Sequence, residues 1–503
     1  MRVVFPYRGS EALGVEALMA FLDKRGHETM LVFDPATFSG SRGRDIPLLA
    51  RRFETSPQTV ADYLLDLDPG VLAFSAVTGI YKWSLEVAKA VRKRKFIPTV
   101  FGGIHATAAP SSVIAEDAVD AIVLGEGEGA LLELVECATQ KGFARTDILN
   151  TWVKKDGEII RNPVRPYIEN LDELPIQKKS AFYDIAPVMS RNYLVMTSRG
   201  CPNDCTYCCN HIIHELYGSG ARHVRRRSPS NVVMELELAR ERWGIEFVEF
   251  WDDIFTQDLR WLEEFAPLYK NRVGVPFQCY AHPAFMDDRR ARSLAEAGCT
   301  QVKIGVQSLD DNTLHNTLRR PGSRDAVRRA ISAAHSVGIR VSIEHLLDIP
   351  GEGPDTQQNA AEFYMETRPD KIASFWLVYY PGTAIGRTAV EKGILSEVDL
   401  QAIDSGDDRF TYTFMFPGNK AAQRRNRLRP YQTLFDMLPW LPERWAEWLI
   451  ESGLVDRLPH WGILHQALMI INAFRINERE DIQALRYVLS RKRTPFRKAR
   501  NAR

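Results

Sequence analysis

Short continuous apolar runs alternate along this chain with longer stretches in which apolar residues recur at helical spacing. In the first 145 residues the runs at 2–6, 29–33, 71–77, 99–102 and 121–124 read as strands, and 11–25, 58–67, 82–93 and 130–140 as helices. Unbroken apolar runs belong to parallel strands covered on both faces by helices. The order predicts an α/β, doubly wound, flavodoxin- or Rossmann-like domain, whose ligands bind beyond the carboxyl ends of the strands. Ser75 and Thr78 follow the third run, Gly102, Gly103 and His105 the fourth, and Gly125, Glu126 and Gly127 the fifth. Glycine at these ends lets backbone approach a bulky ligand closely. Glycines that only make tight turns fit the same pattern, and His105 suits a strand-end structural role as well as a ligand contact.

Residues 146–190 interrupt the alternation. Asp156-Gly157 is hairpin turn chemistry, and the prolines from 163 to 187 mark an extended connector, so a linker is expected here. From residue 191 to about 392 six strand-like runs recur, at 193–197, 246–251, 277–281, 301–306, 340–347 and 372–379. Helical stretches separate them, at 231–243, 259–270, 289–297, 324–337 and 356–367. Repeated strand and helix predicts a partial (βα)6 barrel with its chemistry on the loops after the strands. Residues 393–503 lack strand runs and predict a small, mostly helical C-terminal domain with a basic tail. Its Trp440, Trp445, Trp448 and Trp461 suit a small core, the default for such residues, or the wall of an apolar pocket.

Composition narrows the function classes. A formal charge of +1 over 503 residues provides no global field toward nucleic acid, and no clear nucleic-acid partner is expected. The amino terminus shows no secretory pattern, and no apolar stretch reaches the ~20 residues of a membrane helix. Seven cysteines, an odd number with one tight cluster, predict reduced thiols in the cytoplasm. The basic tail leaves membrane contact through the C-terminal segment open.

The cluster is Cys201-Pro-Asn-Asp-Cys205-Thr-Tyr-Cys208. Thiols at this spacing cannot share one helix face, whereas a loop can wrap them around an iron–sulfur core. Three thiolates on four irons leave one iron open to bind something else. Two other readings use the same residues: thiols packed as small hydrophobes, and a zinc site completed by Cys209 or His211.

Cys-x3-Cys-x2-Cys with an aromatic before the last cysteine resembles the radical S-adenosylmethionine (SAM) superfamily. Arg199-Gly-Cys-Pro202, with the Gly-Gly-x-His and Gly-Glu-Gly-Glu turns upstream, is similar to its cobalamin-binding branch. The resemblance implies that Cys201, Cys205 and Cys208 hold a [4Fe–4S] cluster and that SAM is cleaved to a 5'-deoxyadenosyl radical. Tyr207 is implied near the adenine, and Cys209 has no role in that pattern. The loop Asp-x-His-x-x-Gly of other cobalamin proteins is missing, which implies cobalt without a histidine lower ligand.

Further strand ends extend the likeness. Phe250-Trp-Asp252-Asp253 is similar to the branch's Phe-x-Asp-Asp at the SAM pocket, although aspartate also favours a helix N-cap. Gly305-Val-Gln307-Ser308 is similar to Gly-x-Glu-Ser with an amide replacing the acid, and Asp348-Ile-Pro-Gly-Glu352 to Gly-x-Pro-Gly-Glu with a departure at Asp348. His345 lies on the fifth barrel run and is expected with Gln307 and Ser308 around SAM; a packed, neutral histidine is the alternative. The branch implies methyl transfer to an unactivated carbon, with a radical cyclase or oxidative ring-forming enzyme next and a cobalamin sensor with a structural cluster third. A small-molecule or lipid-like substrate and an external low-potential electron donor are the expected partners.

Overall fold

A computed structural model describes residues 1–35, 55–218, 220, 223–407, 420–459 and 462–475. The N-terminal sheet contains β1 (Arg2–Arg8), β2 (Glu28–Asp34), β3 (Val71–Ser75), β4 (Thr99–Gly102) and β5 (Ala121–Val123), all parallel. The hairpin expected in the linker joins this sheet instead: β6 (Thr151–Lys155) pairs antiparallel with β5, and β7 (Glu158–Arg161) closes the edge. The order β2-β1-β3-β4-β5-β6-β7 has its switch point between β1 and β3, and helices Leu13–Asp23 and Thr78–Arg92 lie among those covering its faces. Two short helices, Ile104–Ala108 and Pro110–Ala115, occupy a stretch to which periodicity assigned no element.

The second sheet is the partial barrel, with β8 (Asn192–Val195), β9 (Phe247–Phe250), β10 (Phe277–Ala281), β11 (Cys299–Gln307), β12 (Arg340–Leu347) and β13 (Lys371–Trp376) parallel and in sequence order. Side chains alternate between its faces. Val248, Phe277, Val302, Val341 and Ile343 point outward into the main hydrophobic core against the helices. The opposite alternation, Glu249, Gln278, Gln301 and Lys303, gives the barrel a polar interior. Outer helices start where a polar side chain satisfies a free backbone N–H: Ser228, Asp258, Asp287 and Ser323 each cap one. Each such cap contributes about 1 kcal/mol.

Among the described residues the C-terminal helices build no separate core. Leu434, Phe435, Leu438, Ala446 and Ile450 join the barrel's outer core. Trp445 and Trp448 lie on the opposite, exposed face, 62% and 52% accessible and edge to face at 6.1 Å, so they are not the core residues expected. Trp461 and the basic tail lie outside the described residues. No described helix is long and apolar enough to cross a membrane.

Candidate active site

The cysteine loop begins where β8 ends. Asp252 accepts hydrogen bonds from the Thr197 N–H and hydroxyl, at 3.1 and 2.7 Å, and from the Ser198 hydroxyl, which pins the approach to the loop. Gly200 has φ 86°, and a Cβ there would lie 2.0 Å from the His223 carbonyl, so no other residue fits. Beyond it, His214 Nε2 meets the Cys201 carbonyl at 2.9 Å, and Asp204 meets His211 Nδ1 at 2.6 Å. Thr206 is tied to the Leu318 and Thr317 carbonyls at 3.0 and 2.8 Å. Cys208 then stands at the N-cap of helix Cys209–Tyr217.

Cys201, Cys205 and Cys208 lie within one another's electrostatic reach. Burial pushes the Cys201 thiol up to about 12 and also raises Cys205, which the Arg320 guanidinium partly offsets. Cys208 is held down at about 7, chiefly by a hydrogen bond from the neighbouring Cys209 thiol. Among the described residues no three His, Cys, Asp or Glu side chains converge as ligands of a single ion. Three thiols in a braced, largely enclosed loop, with a cation beside one of them, fit the soft ligand set of an iron–sulfur cluster.

The expected SAM residues divide by orientation. Tyr207 packs against the buried cluster that includes Leu314, Leu318 and Tyr379 and meets Arg320 at 3.5 Å. Asp253 opens onto the cleft near Cys201 and Cys208, and desolvation raises its carboxyl from the ordinary range despite a hydrogen bond from Asn210. Gln307 ends β11 with φ 70°. The other three stand behind this surface. Asp252 is spent on Thr197 and Ser198. Ser308 donates to Glu352, whose carboxyl burial pushes up to about 7. His345 shares the outward register of Ser374 and bonds Gln357 at 2.8 Å and Tyr364 at 3.0 Å, so the expected contact with SAM is not open to it.

The expected cobalamin residues converge more closely. A cavity of about 340 Å³ lies at the carboxyl ends of β3, β4 and β5, lined by Ser75, Gly102, Gly103, Gly125, Glu126 and Gly127, with Phe5, Leu18 and Val123 supplying apolar wall. Met196, Ser198 and Arg199 close it from the barrel side, so the crevice reaches the approach to the cysteine loop. Gly102 leaves space that a side chain would fill, its Cβ position lying 3.7 Å from Val123. A deep, glycine-edged, largely apolar slot suits the flat base and tail of a corrinoid. No histidine is among the described residues lining it. His105 and Thr78 lie outside it: His105 is fully buried, stacks on Tyr81 at 4.1 Å and meets the Thr78 hydroxyl at 3.2 Å, and burial lowers its pKa to about 4. Both support the strand end from behind.

Sequence reasoning missed what joins the two halves. Burial raises the Glu126 carboxyl, but Arg199 and Arg225, each at 2.9 Å, outweigh that and hold it below its ordinary pKa. Tyr217, from the helix after the cysteine loop, meets the Glu126 N–H at 3.0 Å and stacks on Tyr167 at 3.7 Å. Gly125, at φ 64°, makes room for it, since a Cβ would lie 2.4 Å from the Tyr217 oxygen. The sequence marked Arg199, ahead of the first cysteine, and Glu126, in the Gly-Glu-Gly-Glu turn, but not that the two meet. Arg320 was missed as well; it follows no motif and reaches the loop from the turn after β11.

Comparison with known proteins agrees with this geometry. Residues 195–364 match the radical SAM superfamily, and residues 10–135 match the B12 binding domain. The chain is 26% identical over 345 residues to an uncharacterized methyltransferase of Pyrococcus horikoshii, covering 67% of this chain and 72% of the relative. It is also 26% identical over 343 residues to the anaerobic magnesium-protoporphyrin IX monomethyl ester cyclase of Rubrivivax gelatinosus, covering 65% of this chain and 59% of the cyclase. Among solved structures, the radical SAM methyltransferase TsrM of Kitasatospora setae, with cobalamin and a [4Fe–4S] cluster bound, superposes with a TM-score of 0.66 at 16% identity, over 95% of this chain and 99% of that one. That likeness shows a shared fold.

Barrel, cysteine loop and matched residues define a radical SAM enzyme. With its B12-binding domain, the chain belongs to the cobalamin-dependent branch of that superfamily, and its cofactors are a [4Fe–4S] cluster, SAM and cobalamin.

Proposed function

We propose that this enzyme methylates an unactivated carbon of a small-molecule substrate. The observation that carries the reading is the junction: the glycine-edged crevice and the cysteine loop meet at Ser198 and Arg199, and Glu126 and Tyr217 bind them together. Similarity to a named methyltransferase supports the choice of reaction. When bound, the cluster and SAM supply a carbon-centred radical, and cobalamin supplies the methyl group.

In this reading Cys201, Cys205 and Cys208 bind the cluster. Tyr207, Asp253 and Gln307 line the SAM side, with Asp252, Ser308 and His345 holding the strand ends that present them. Ser75, Gly102, Gly103, Gly125, Gly127 and the backbone of Glu126 form the cobalamin cradle, while Thr78 and His105 brace it. The chain's own work is to bind, orient and exclude water. An external low-potential donor supplies electrons.

The test is anaerobic turnover of cluster- and cobalamin-loaded enzyme with methyl-deuterated SAM and a metabolite extract, analysed by mass spectrometry. The expected result is 5'-deoxyadenosine and S-adenosylhomocysteine formed together with a labelled product. Deoxyadenosine with an unlabelled, oxidised product would favour the cyclase-like reading, for which the likeness to the ester cyclase speaks.

A further inference from the structure

Arg320 holds a position no motif assigned. It is enclosed beside the cysteine loop, where Nη1 donates to Cys205 Sγ at 3.7 Å and to the Tyr207 hydroxyl at 3.5 Å, while Nη2 donates to the Gly305 carbonyl. Among the described residues it makes no ion pair with a carboxylate. Gly305 admits it: a Cβ there would lie 3.2 Å from Arg320 Nη2 and 2.9 Å from Gln307 Nε2. The guanidinium and the Gln307 amide therefore crowd the same point, and an amide adds no negative charge there. Glu344 Oε2 is further off, 3.9 Å from that point.

We propose that Arg320 tunes the cluster through Cys205, making it easier to reduce, and that Gln307 keeps this charge from being neutralised locally. This rests on the reading of Cys201, Cys205 and Cys208 as cluster ligands. The cluster takes up one electron from an external reductant, passing from the 2+ to the 1+ core, so its net charge with three thiolates goes from −1 to −2. A fixed cation and an N–H donated to a ligating sulfur favour the more negative form. An acid at position 307 would pair with Arg320 and withdraw that help.

The experiment uses full-length, reconstituted enzyme: wild type, R320K, R320Q and Q307E, titrated with titanium(III) citrate without SAM and followed by electron paramagnetic resonance. Iron and sulfide are measured first. At the wild-type midpoint, R320Q is expected to show a reduced-to-oxidised ratio lower by about tenfold, the scale of one hydrogen bond to a charged group. Q307E is expected to shift in the same direction and R320K less. Fully loaded R320Q and Q307E with the wild-type midpoint would overturn the proposal. If R320Q fails to load, R320K and Q307E decide by the same criterion. A Cys205→Ala protein retaining a full cluster would instead refute the ligand reading, a failure seen in metal content rather than in the midpoint.

Discussion

The crevice of the N-terminal domain and the mouth of the barrel meet at Arg199, yet they are built from opposite materials. The crevice is mostly glycine edges and apolar wall, and the Glu126 carboxylate at its rim is taken up by the joint with Arg199 and Arg225. The mouth is thiols, a half-buried cation and a carboxylate open to the cleft. A large, mostly apolar tail is selected by shape and by removal of water from its surface; a charged cluster and a zwitterionic sulfonium are selected by ligation and charge. On the proposed reading, the corrinoid on one side and the cluster with SAM on the other are held by two independent physical means.

Independence predicts a double dissociation. Cys205→Ala is expected to abolish the iron–sulfur chromophore and reduce deoxyadenosine formation to that of reductant alone, while cobalamin still loads; loss of both cofactors would contradict the separation. Gly102→Val should do the reverse, since its side chain fills the crevice without a left-handed backbone to strain. Cobalamin binding is expected to weaken by about ten- to a hundredfold, the range for overpacking, with the cluster spectrum unchanged. Equilibrium binding of cobalamin monitored by visible absorbance measures this.

Breaking the joint should cost stability on both sides at once. Glu126→Ala leaves Arg225 buried with no carboxylate, at about 3–5 kcal/mol, and urea unfolding followed separately by cobalamin release and cluster bleaching should show both midpoints fall. The smallest effect belongs to the outer face of the barrel. His345 is buried, and its pKa is lowered to about 4, mainly by desolvation. The unfolded chain takes up this proton near the ordinary histidine value while the folded one does not, so stability present above pH 6.5 is lost as pH falls toward 4, by up to about 3 kcal/mol. Comparing unfolding midpoints at neutral and mildly acidic pH in wild type and His345→Gln isolates this contribution; an identical acid sensitivity in both would refute it.

Asp348 shows how a departure from a motif is read only in space. It replaces a glycine of the resembled pattern, keeps the left-handed conformation at φ 70°, which aspartate tolerates better than most residues, and is fully buried. There it holds Arg424 and Arg425 of helix Lys420–Met437, tying the C-terminal helices to the end of β12. From the sequence alone this position only departed from a pattern.

Apolar runs marked where the strands of both sheets lie along the chain, because a strand packed against helices must bury apolar side chains, and cysteine spacing pointed to the cluster because ligation needs particular atoms at short range. Those are local properties, readable one segment at a time. Which way His345 and His105 face, that Tyr217 enters the Gly125 turn, that the hairpin joins the first sheet, and that Arg320 arrives at Cys205 from 115 residues away were decided only by tertiary packing. A side chain's partners across the fold depend on register and on the packing of distant elements, and no periodicity within one segment encodes either.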